Sequence, residues 1–445
     1  MKRVGFVLVA AVAMLVIFTI AMAQLETRSA KHLLRVISGE TVRGYFGSGV
    51  EGMYAWTGDK PLFAVSSSGE VNGPIRSGKV MFFDGLLADN PIHEFSAPKE
   101  GEVFGRTLSG GGDWNGDGIP DLAVGAPGDR ESAGKVYLYF GGANIGSTVN
   151  GELSAKEVGD QFGTAISLHH DLNGDGLADL VVGAPKSAKA GATAGRAYIW
   201  LGKKDGTPAA SPDIEIKLGT TNDLFGTAIA TGDVTGDGHA DLVIGSPHHN
   251  LGEKLPGSIF VIHGGPEANL ASVKKIISGE SSGFQDEFGY AVAIVNDMND
   301  DGASEIVVGA PKVLRDGKQI GKAYLYYGGA AMASEPSRTF WGADEAGGFG
   351  EAVFALGDLN RDGKGDWAVQ ASSAAGSRGT VYFYYGGWEK DFYQFNGEML
   401  SDQLGNAVVA LGDVEGNESV QVLVGARWND TEAENAGRIY ILSFD

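Results

Sequence analysis

The sequence predicts an all-β protein made of seven similar units. The first observation behind this prediction is a repeat whose period is 55–63 residues, because a fixed period of this kind is typical of repeat architectures. The second is composition, since 70 glycines and 14 prolines among 445 residues suit short strands joined by tight turns. The third is that no helical period of ten or more residues follows the N-terminal apolar stretch.

Each unit opens on a Phe-Gly pair or, in the last unit, on a Leu-Gly pair. The pairs begin at Phe46, Phe104, Phe162, Phe225, Phe288, Phe349 and Leu404. Units of this size fill the chain after its N-terminal stretch. We therefore expect a single domain over residues 33–445.

Four strands are predicted in each unit, and the unit that begins at Phe288 shows all of them. They are the stretch after Gly289, Glu305–Gly309, Lys322–Tyr327 and Ser337–Trp341. The third strand is apolar or aromatic at nearly every position, which indicates that both of its faces are buried. A sheet held between two neighbouring sheets in a ring meets this requirement. The sequence therefore predicts a seven-bladed β-propeller of four-stranded blades.

The two ends of the chain complement each other in this scheme. Arg438–Leu442 is the third strand of the seventh unit, and no fourth strand follows it. Leu34–Glu40 (LRVISGE) is similar to the fourth-strand segment Lys275–Glu280 (KIISGE). We expect residues 33–39 to complete blade 7 and to close the ring. The alternative is an open array with a disordered N-terminal arm.

Residues 1–23 have the pattern of a secretory signal peptide. Lys2 and Arg3 precede an apolar run over Val4–Ile20, and Ala21–Ala23 has the small-residue spacing of a signal-peptidase site. The alternative is an uncleaved membrane anchor, because the run approaches the length of a bilayer span. We expect a short segment over 24–32 after cleavage. The protein is then secreted, extracellular or at the cell surface, or it is periplasmic.

Composition restricts the partners of this chain. The formal net charge of −22 disfavours nucleic acid and anionic membranes, which bind basic surfaces, and it favours cations. The chain has no cysteine, which excludes disulfides and thiolate metal sites. Because exported proteins often rely on disulfides, we expect this chain to be stabilised in another way.

An acidic loop follows the first predicted strand in five units. The loop that starts at Asp113 has acid or amide side chains at positions 1, 3 and 5 and glycine at position 6, like a helix-loop-helix calcium site. Position 12 is Val124 instead of a bidentate Glu, and it lies in a predicted strand. All five loops have an acid at position 9. The alternative interpretation is a set of Asp-rich turns without metal.

The repeats also carry the signature of a family. Phe-Gly at 104–105 with Gly-Ala-Pro at 125–127, and Phe-Gly at 162–163 with Gly-Ala-Pro at 183–185, are marks of FG-GAP repeats. The whole chain resembles the seven-bladed propeller of integrin α subunits. This resemblance implies calcium in the loops between first and second strands, with side-chain ligands at positions 1, 3, 5 and 9 and a main-chain oxygen at position 7. About five Ca²⁺ ions are therefore expected, in blades 2–6.

The ligands that the resemblance implies follow the order of the blades. They are Asp113, Asn115, Asp117, Ile119 and Asp121 in blade 2; Asp171, Asn173, Asp175, Leu177 and Asp179 in blade 3; Asp233, Thr235, Asp237, His239 and Asp241 in blade 4; Asp297, Asn299, Asp301, Ala303 and Glu305 in blade 5; and Asp358, Asn360, Asp362, Lys364 and Asp366 in blade 6.

Individual loops depart from this pattern. Thr235 is expected to be a weaker ligand than Asn, Asp300 adds charge to the blade 5 loop, and Arg361 reduces the field of the blade 6 loop. Blade 7 has Gln421 in place of the acid at position 9 and lacks the glycine at position 6. Blade 1 has only Thr57–Lys60 in this region. We expect no ion in blades 1 and 7.

The resemblance implies a non-catalytic adhesion or protein-binding module whose ligand is an extracellular protein or glycan. Binding is expected at the rim opposite the acidic loops, where the loops between second and third strands differ most. One alternative is a lectin. Its candidates for stacking on sugar rings are Trp114, Trp341, Trp388 and Trp428.

A second alternative is a hydrolase, because FG-GAP repeats also accompany phospholipases. The histidine pairs at 169–170 and 248–249 are the candidates for such chemistry. Neither pair comes with an identifiable nucleophile or with a repeated acid outside the acidic loops. We therefore expect solvated loop residues and no enzyme.

Overall fold

The computed structural model describes residues 32–444 apart from short internal segments. These segments are 54–55, 57–61, 70–76, 87, 89, 100, 129–132, 143–147, 155–156, 189–190, 205, 250–255, 281–284, 344–346 and 388–391. The predicted signal peptide over 1–23 and residues 24–31 lie outside the described residues, as do Thr57–Lys60 and Trp388. Among the described residues, no helix is long and apolar enough to cross a membrane.

The described residues form seven four-stranded antiparallel sheets, which are the blades of the propeller. The first strand of the chain, β1 (His32–Ser38), belongs to the last blade. Blade 1 contains β2 (Phe46–Gly52), β3 (Leu62–Ser67), β4 (Lys79–Asp84) and β5 (His93–Ser96). Blade 2 contains β6 (Thr107–Gly110), β7 (Leu122–Ala126), β8 (Lys135–Tyr139) and β9 (Gly151–Ser154). Blade 3 contains β10 (Ile166–Ser167), β11 (Leu180–Ala184), β12 (Arg196–Trp200) and β13 (Ile214–Ile216).

The remaining blades repeat this order. Blade 4 contains β14 (Ala228–Gly232), β15 (Asp241–Ser246), β16 (Ser258–Ile262) and β17 (Lys275–Ser278). Blade 5 contains β18 (Ala291–Val295), β19 (Glu305–Ala310), β22 (Lys322–Tyr326) and β23 (Arg338–Trp341), and the short hairpin β20 (Leu314–Arg315) and β21 (Lys318–Gln319) projects between β19 and β22. Blade 6 contains β24 (Phe349–Gly357), β25 (Asp366–Ala371), β26 (Thr380–Tyr384) and β27 (Phe392–Asn396), with a single helical turn at Ala374–Ser377. Blade 7 contains β28 (Val408–Gly412), β29 (Val420–Ala426), β30 (Arg438–Phe444) and β1.

The N-terminal strand closes the ring. β1 pairs antiparallel with β30, so that Val36 lies opposite Tyr440 and Ser38 opposite Arg438. This pairing confirms the predicted fold, and the strand begins one residue earlier than the expected 33–39. The first and last strands of the described chain are therefore hydrogen-bonded neighbours in one blade.

The hydrophobic core is divided among the seams between blades. The described residues form seven buried clusters, and each cluster combines side chains from two neighbouring blades. At the seam between blades 7 and 1, for example, Phe63 of β3 belongs to one cluster with Ile441 of β30. All five residues of β22 are buried, which confirms that a third strand has two covered faces. Each seam between described strands is therefore filled by its own cluster.

The two glycine motifs meet where successive blades come closest. A Cβ atom on Gly245, the glycine of the Gly-Ala-Pro position in blade 4, would lie 2.1 Å from the carbonyl oxygen of Gly289 in blade 5. Gly183 has the same relation to Gly226, at 2.1 Å. Only glycine allows two backbones to approach so closely. The glycines of the two motifs therefore allow neighbouring blades to pack closely, in addition to favouring turns.

Candidate metal centres

The five acidic loops open on one rim of the propeller. They lie at 113–121, 171–179, 233–241, 297–305 and 358–366, and each joins the first strand of its blade to the second. We call this rim the acidic rim. The loops from second to third strands and from fourth to first strands lie on the opposite side, which we call the variable rim.

The acid at position 1 organises each loop around its own carboxylate. In blade 3, Asp171 accepts backbone N–H groups from Gly174 at 2.7 Å and from Gly176 at 2.6 Å. Both glycines have positive φ, 78° and 89°, and glycine adopts this conformation at little cost. Asp113 accepts the corresponding bonds in blade 2. The glycine at position 6 therefore suits the turn itself.

Positions 5 and 7 are also connected in all five loops. Each position-5 acid accepts the backbone N–H of the position-7 residue at 2.9–3.0 Å. The position-7 residues are Ile119, Leu177, His239, Ala303 and Lys364. At position 3, the hydroxyl of Thr235 donates to Asp233 at 3.4 Å, so its lone pairs remain available for a cation.

The acid at position 9 is buried in every one of these loops. Asp121, Asp179, Asp241, Glu305 and Asp366 are at most 1% exposed. Each accepts the backbone N–H of position 2, as Asp121 does from Trp114 at 2.8 Å. Burial raises the pKa of Asp121 and Asp366 to about 7 and the pKa of Asp179 to about 6. Burial favours the protonated form of these carboxyl groups, so a cation that binds at such a site displaces that proton.

Four of these acids also tie the loop to the third strand of their blade. The second carboxylate oxygen accepts the backbone N–H of a glycine that follows the third strand, at 2.7–3.0 Å. The pairs are Asp121 with Gly141, Asp179 with Gly202, Asp241 with Gly264, and Asp366 with Gly386. Position 9 is therefore a structural anchor as well as a candidate ligand.

Blade 5 has the strongest geometry for a cation. Carboxylate oxygens of Asp297, Asp301 and Glu305 all lie within 4.8 Å of one another. The Oε2 atom of Glu305 accepts the N–H of Met298, but its Oε1 atom is buried without a hydrogen-bond partner. Burial, with the charges of Asp297 and Asp301, raises the pKa of Glu305 to about 8. Three converging acids and an orphaned buried oxygen fit a hard cation such as Ca²⁺.

The corresponding loop of blade 7 is satisfied by protein groups alone. The amide oxygen of Gln421 accepts the N–H of Val414 at 2.9 Å, which is the bond that an acid accepts elsewhere. The amide nitrogen donates to the backbone carbonyl of Ser419 at 3.1 Å. Glu418, with φ 68°, takes the conformation of the missing glycine. A neutral amide thus replaces the buried charge.

Charged side chains link three neighbouring loops along the acidic rim. Lys364 Nζ of blade 6 lies 2.7 Å from Asp300 Oδ2 of blade 5, and Arg361 Nη2 of blade 6 lies 2.9 Å from Asp413 Oδ2 of blade 7. The expectation that Asp300 simply adds charge to its loop was incomplete, because the neighbouring lysine balances it. Arg361 likewise pairs with Asp413 of the blade 7 loop instead of with an acid of its own loop. These partners are 52–64 residues apart, so sequence spacing did not indicate them.

A second repeated acid was missed by the sequence analysis. Asp160, Asp223, Asp286 and Asp402 each stand two residues before a Phe-Gly or Leu-Gly pair, and all are at most 1% exposed. Asp223 accepts the backbone N–H of Thr220 at 2.7 Å, and Asp402 accepts that of Met399 at 2.7 Å. The expectation of no repeated acid outside the acidic loops was therefore wrong. These acids anchor turns on the variable rim, and the pattern Asp-x-Phe-Gly was visible in the sequence.

The histidines are held by neighbouring side chains. His248 Nε2 lies 3.1 Å from Glu287 Oε1, and His249 Nδ1 lies 2.8 Å from the hydroxyl of Ser258. Ser258 is fully buried, so a substrate cannot reach it. His169 and His170 are exposed residues of the loop that follows β10, as expected, and they also line the central channel of the ring.

The tryptophans offer little free surface for sugar rings. Trp114 is 1% exposed and stacks on Phe140. Trp341 is 36% exposed, but Lys322 Nζ lies 5.0 Å and Arg315 Cζ lies 5.6 Å from its ring centroid. Trp428 packs beside Tyr45 at 5.3 Å. Among the described tryptophans, only Trp341 combines exposure with a position near the variable rim.

The fold and this rim define a class of protein: a seven-bladed β-propeller with five acidic loops in one register. Two family models match within it, an FG-GAP repeat over residues 104–139 and an FG-GAP-like repeat over residues 171–244. The chain therefore contains FG-GAP repeats, and its propeller resembles that of integrin α subunits.

Curated relatives fall into two groups. Phosphatidylinositol-glycan-specific phospholipase D of Bos taurus is 29% identical over 61% of this chain and 33% of its own length. Integrin alpha-8 of Gallus gallus is 32% identical over 46% of this chain and 20% of its own length. Integrin alpha-5 of Xenopus laevis is 31% identical over 48% of this chain and 21% of its own length. The chain thus spans a third or less of each of these relatives.

Proposed function

We propose that this protein is a secreted or cell-surface, calcium-binding β-propeller that acts as a non-catalytic adhesion or protein-binding module. The observation that carries the proposal is the division of the ring into two rims. Five acidic loops of one register occupy the acidic rim, while loops of differing sequence occupy the variable rim. Rigid repeat scaffolds commonly bind partners through such differing loops.

Calcium is the cation that best suits the acidic rim. The five loops hold 16 carboxylates, counting Asp300, in small volumes without any thiol or imidazole cluster among their described residues. Oxygen-only ligand sets suit Ca²⁺, and extracellular modules bind it at about 10⁻⁴–10⁻³ M. The ions would relieve the repulsion among carboxylates that burial intensifies. In this proposal calcium stabilises the ring that a cysteine-free chain cannot stabilise with disulfides.

The number of bound ions tests the ligand assignment. Asp175→Ala removes the position-5 acid of blade 3, which accepts bonds only from Leu177 and Asn173 within its own loop. We expect the calcium count, measured by equilibrium dialysis with metal analysis, to fall from five per chain to about four. The matched control is Asn417→Ala, at the same position of blade 7, which should leave the count at five. A count unchanged by Asp175→Ala would contradict the assignment.

The variable rim provides the proposed binding surface for an extracellular protein. The hairpin of β20 and β21 extends from blade 5, and its four strand residues are exposed. Leu314 at its base is 40% exposed. Arg315 lies over the ring of the partly exposed Trp341, and arginine and tryptophan are enriched in protein interfaces.

Catalysis is not part of the proposal, because the histidine pairs are engaged with neighbouring groups. The relatives that are named as phospholipases match the chain over a third of their length or less. An assay for release of glycosylphosphatidylinositol-anchored protein should show no turnover above a buffer control. Turnover that depends on this protein would overturn the non-catalytic part of the proposal.

Binding to intact cells of the native source tests whether this protein acts as a binding module. We expect the fluorescently labelled protein to bind in calcium and to lose binding in chelator, because the rim geometry depends on the ring. The double variant Arg315→Ala/Lys318→Ala should reduce the bound signal about tenfold if the hairpin is a contact. Lys217→Ala, an exposed lysine that follows β13 on the outer edge, is the control. Loss of binding after deglycosylation of the cells would favour a lectin instead.

A further inference from the structure

The central channel is a cavity of about 580 Å³ lined by the first strands of all seven blades. Because each first strand runs from the variable rim to the acidic rim, its opening residue surrounds the mouth on the variable rim. One residue per blade directly follows the Phe-Gly or Leu-Gly pair at this mouth. These seven positions fall into two groups with different hydrogen bonding.

Four of the seven positions stabilise the local backbone. The hydroxyls of Ser48, Thr164 and Thr227 donate to the carbonyl three residues earlier, at 2.6–2.7 Å. Those carbonyls belong to residues with positive φ, between 54° and 56°. Such a conformation is costly for residues other than glycine. In the fourth case, the amide of Asn406 donates to the carbonyl of Gly47 in the next blade at 2.8 Å.

Arg106, Tyr290 and Glu351 depart from this pattern. Their side chains line the cavity and form no ion pair or side-chain hydrogen bond with any described residue. The turn before Arg106 still contains a strained residue, Val103, with φ 56°. A β-branched residue in this conformation is an outlier. These positions therefore lack the side-chain hydrogen bond of the other group, and they place a cation, a phenol and an acid in the channel.

The two charges at the mouth are separated. Arg106 comes from blade 2, whereas Tyr290 and Glu351 come from the adjacent blades 5 and 6. The phenol is the group that interacts electrostatically with both charges. Burial raises the pKa of Tyr290, the negative charges of Glu351 and Glu287 raise it further, and the guanidinium of Arg106 lowers it. Arg106 and Glu351 thus place opposite charges on the wall of one cavity, and Tyr290 adds a phenol that interacts with both.

An arginine stays charged at neutral pH, and an unpaired charge surrounded by protein costs free energy. Residues that do not make the stabilising interaction found at equivalent positions often serve a function. We propose that the mouth of the channel on the variable rim binds a small zwitterion of the amino-acid or dipeptide class. Its carboxylate pairs with Arg106, its ammonium group pairs with Glu351, and Tyr290 hydrogen-bonds to it.

The chemistry favours this ligand class over others. Guanidinium and carboxylate groups form paired, planar hydrogen bonds. A doubly charged phosphate would be repelled by Glu351 and by the net charge of −22. The cavity volume lies in the range of small-molecule sites. This site is independent of the proposed partner on the rim, because no cell-surface ligand is needed to occupy the channel.

Titration calorimetry with glycylglycine, acetate and ethylamine tests the assignment. Glycylglycine should bind saturably, and acetate and ethylamine should bind at least about tenfold more weakly, since each lacks one charged contact. Arg106→Gln and Glu351→Gln should each weaken glycylglycine by about tenfold or more. Thr164→Ser is the matched control at an equivalent position and should not change the affinity. Absence of saturable glycylglycine binding, or equal binding of acetate, would overturn the proposal.

A second variant separates a role of Arg106 in binding from a role in the fold. Arg106→Thr introduces the residue of blades 3 and 4, whose hydroxyl can donate to the carbonyl of Val103. We expect the Tm to rise by about 1 °C for a chain of this size, and glycylglycine binding to be lost. A lower Tm in Arg106→Thr would show that Arg106 serves the fold, which would contradict the proposal.

Discussion

Chelation of calcium is expected to lower the Tm of this protein by about 10 °C. At calcium about 10- to 100-fold above Kd, each site adds roughly 1.4–2.7 kcal/mol to the free energy of unfolding. Five sites add on the order of 10 kcal/mol. A chain of this size has an unfolding entropy near 0.9 kcal/mol/K at Tm, which converts that sum to a shift of about 10 °C. The measurement is a thermal melt in about 10 mM calcium, which is roughly 10- to 100-fold above a Kd of this class, and in excess chelator.

The structure explains why the effect should be large. In four of the five loops the buried acid at position 9 connects the loop to the third strand of its blade, as Asp179 does through Gly202 at 2.9 Å. A position-9 carboxylate without a cation therefore destabilises the core of the blade as well as the loop. Glu415→Ala in blade 7 is the control, because this loop has Gln421 in place of the buried acid at position 9 and is expected to hold no ion. It should leave the calcium-dependent shift intact. Superimposable melts with and without calcium would contradict the proposed stabilisation.

Gly245→Ala is expected to destabilise the propeller by about 3 kcal/mol or more, because it forces a backbone apart from its neighbour. The added Cβ atom would lie 2.1 Å from the carbonyl oxygen of Gly289, and this oxygen belongs to a backbone that cannot rotate away. The seam between blades 4 and 5 must therefore open. The measurement is the free energy of unfolding in denaturant, with calcium present.

Gly85→Ala is the matched control for this substitution. Gly85 has φ 85° and no atom within 4 Å of an added Cβ, so alanine there costs only the backbone strain, about 1–2 kcal/mol. Blades 1 and 6 carry Ser66 and Gln370 at the position of Gly245, which shows that the close approach is not uniform. If Gly245→Ala costs no more than Gly85→Ala, the seam does not depend on this glycine contact.

Local patterns were sufficient to predict the acidic loops. The ligand positions from Asp113 to Asp121 repeat in fixed register, and in such a turn the backbone N–H groups find the carboxylate a few residues away. The β20–β21 hairpin had a local signal too, because Asp316 and Gly317 both have positive φ in the turn and Asp-Gly is a typical hairpin pair. That signal was interpreted only as part of a variable loop.

Contacts between blades could not be predicted in the same way. Arg361 reaches Asp413 across 52 residues, and Lys364 reaches Asp300 across 64. No short-range pattern distinguishes these cations from ordinary surface charges. The free side chains at the channel mouth are a similar case, because Arg106 and Tyr290 come together only when blade 2 faces blade 5 across the ring.

By itself the sequence determined the number of blades, their four strands, the closure by β1 and the register of the acidic loops. Each of these depends on interactions between residues close in the chain or on a motif repeated at a fixed interval. Only the tertiary structure decided which loop is neutralised by a neighbour, which glycines separate the blades and which residues enter the channel. The reason is physical: these contacts join residues that are distant in the chain, and closing the ring is what brings them together.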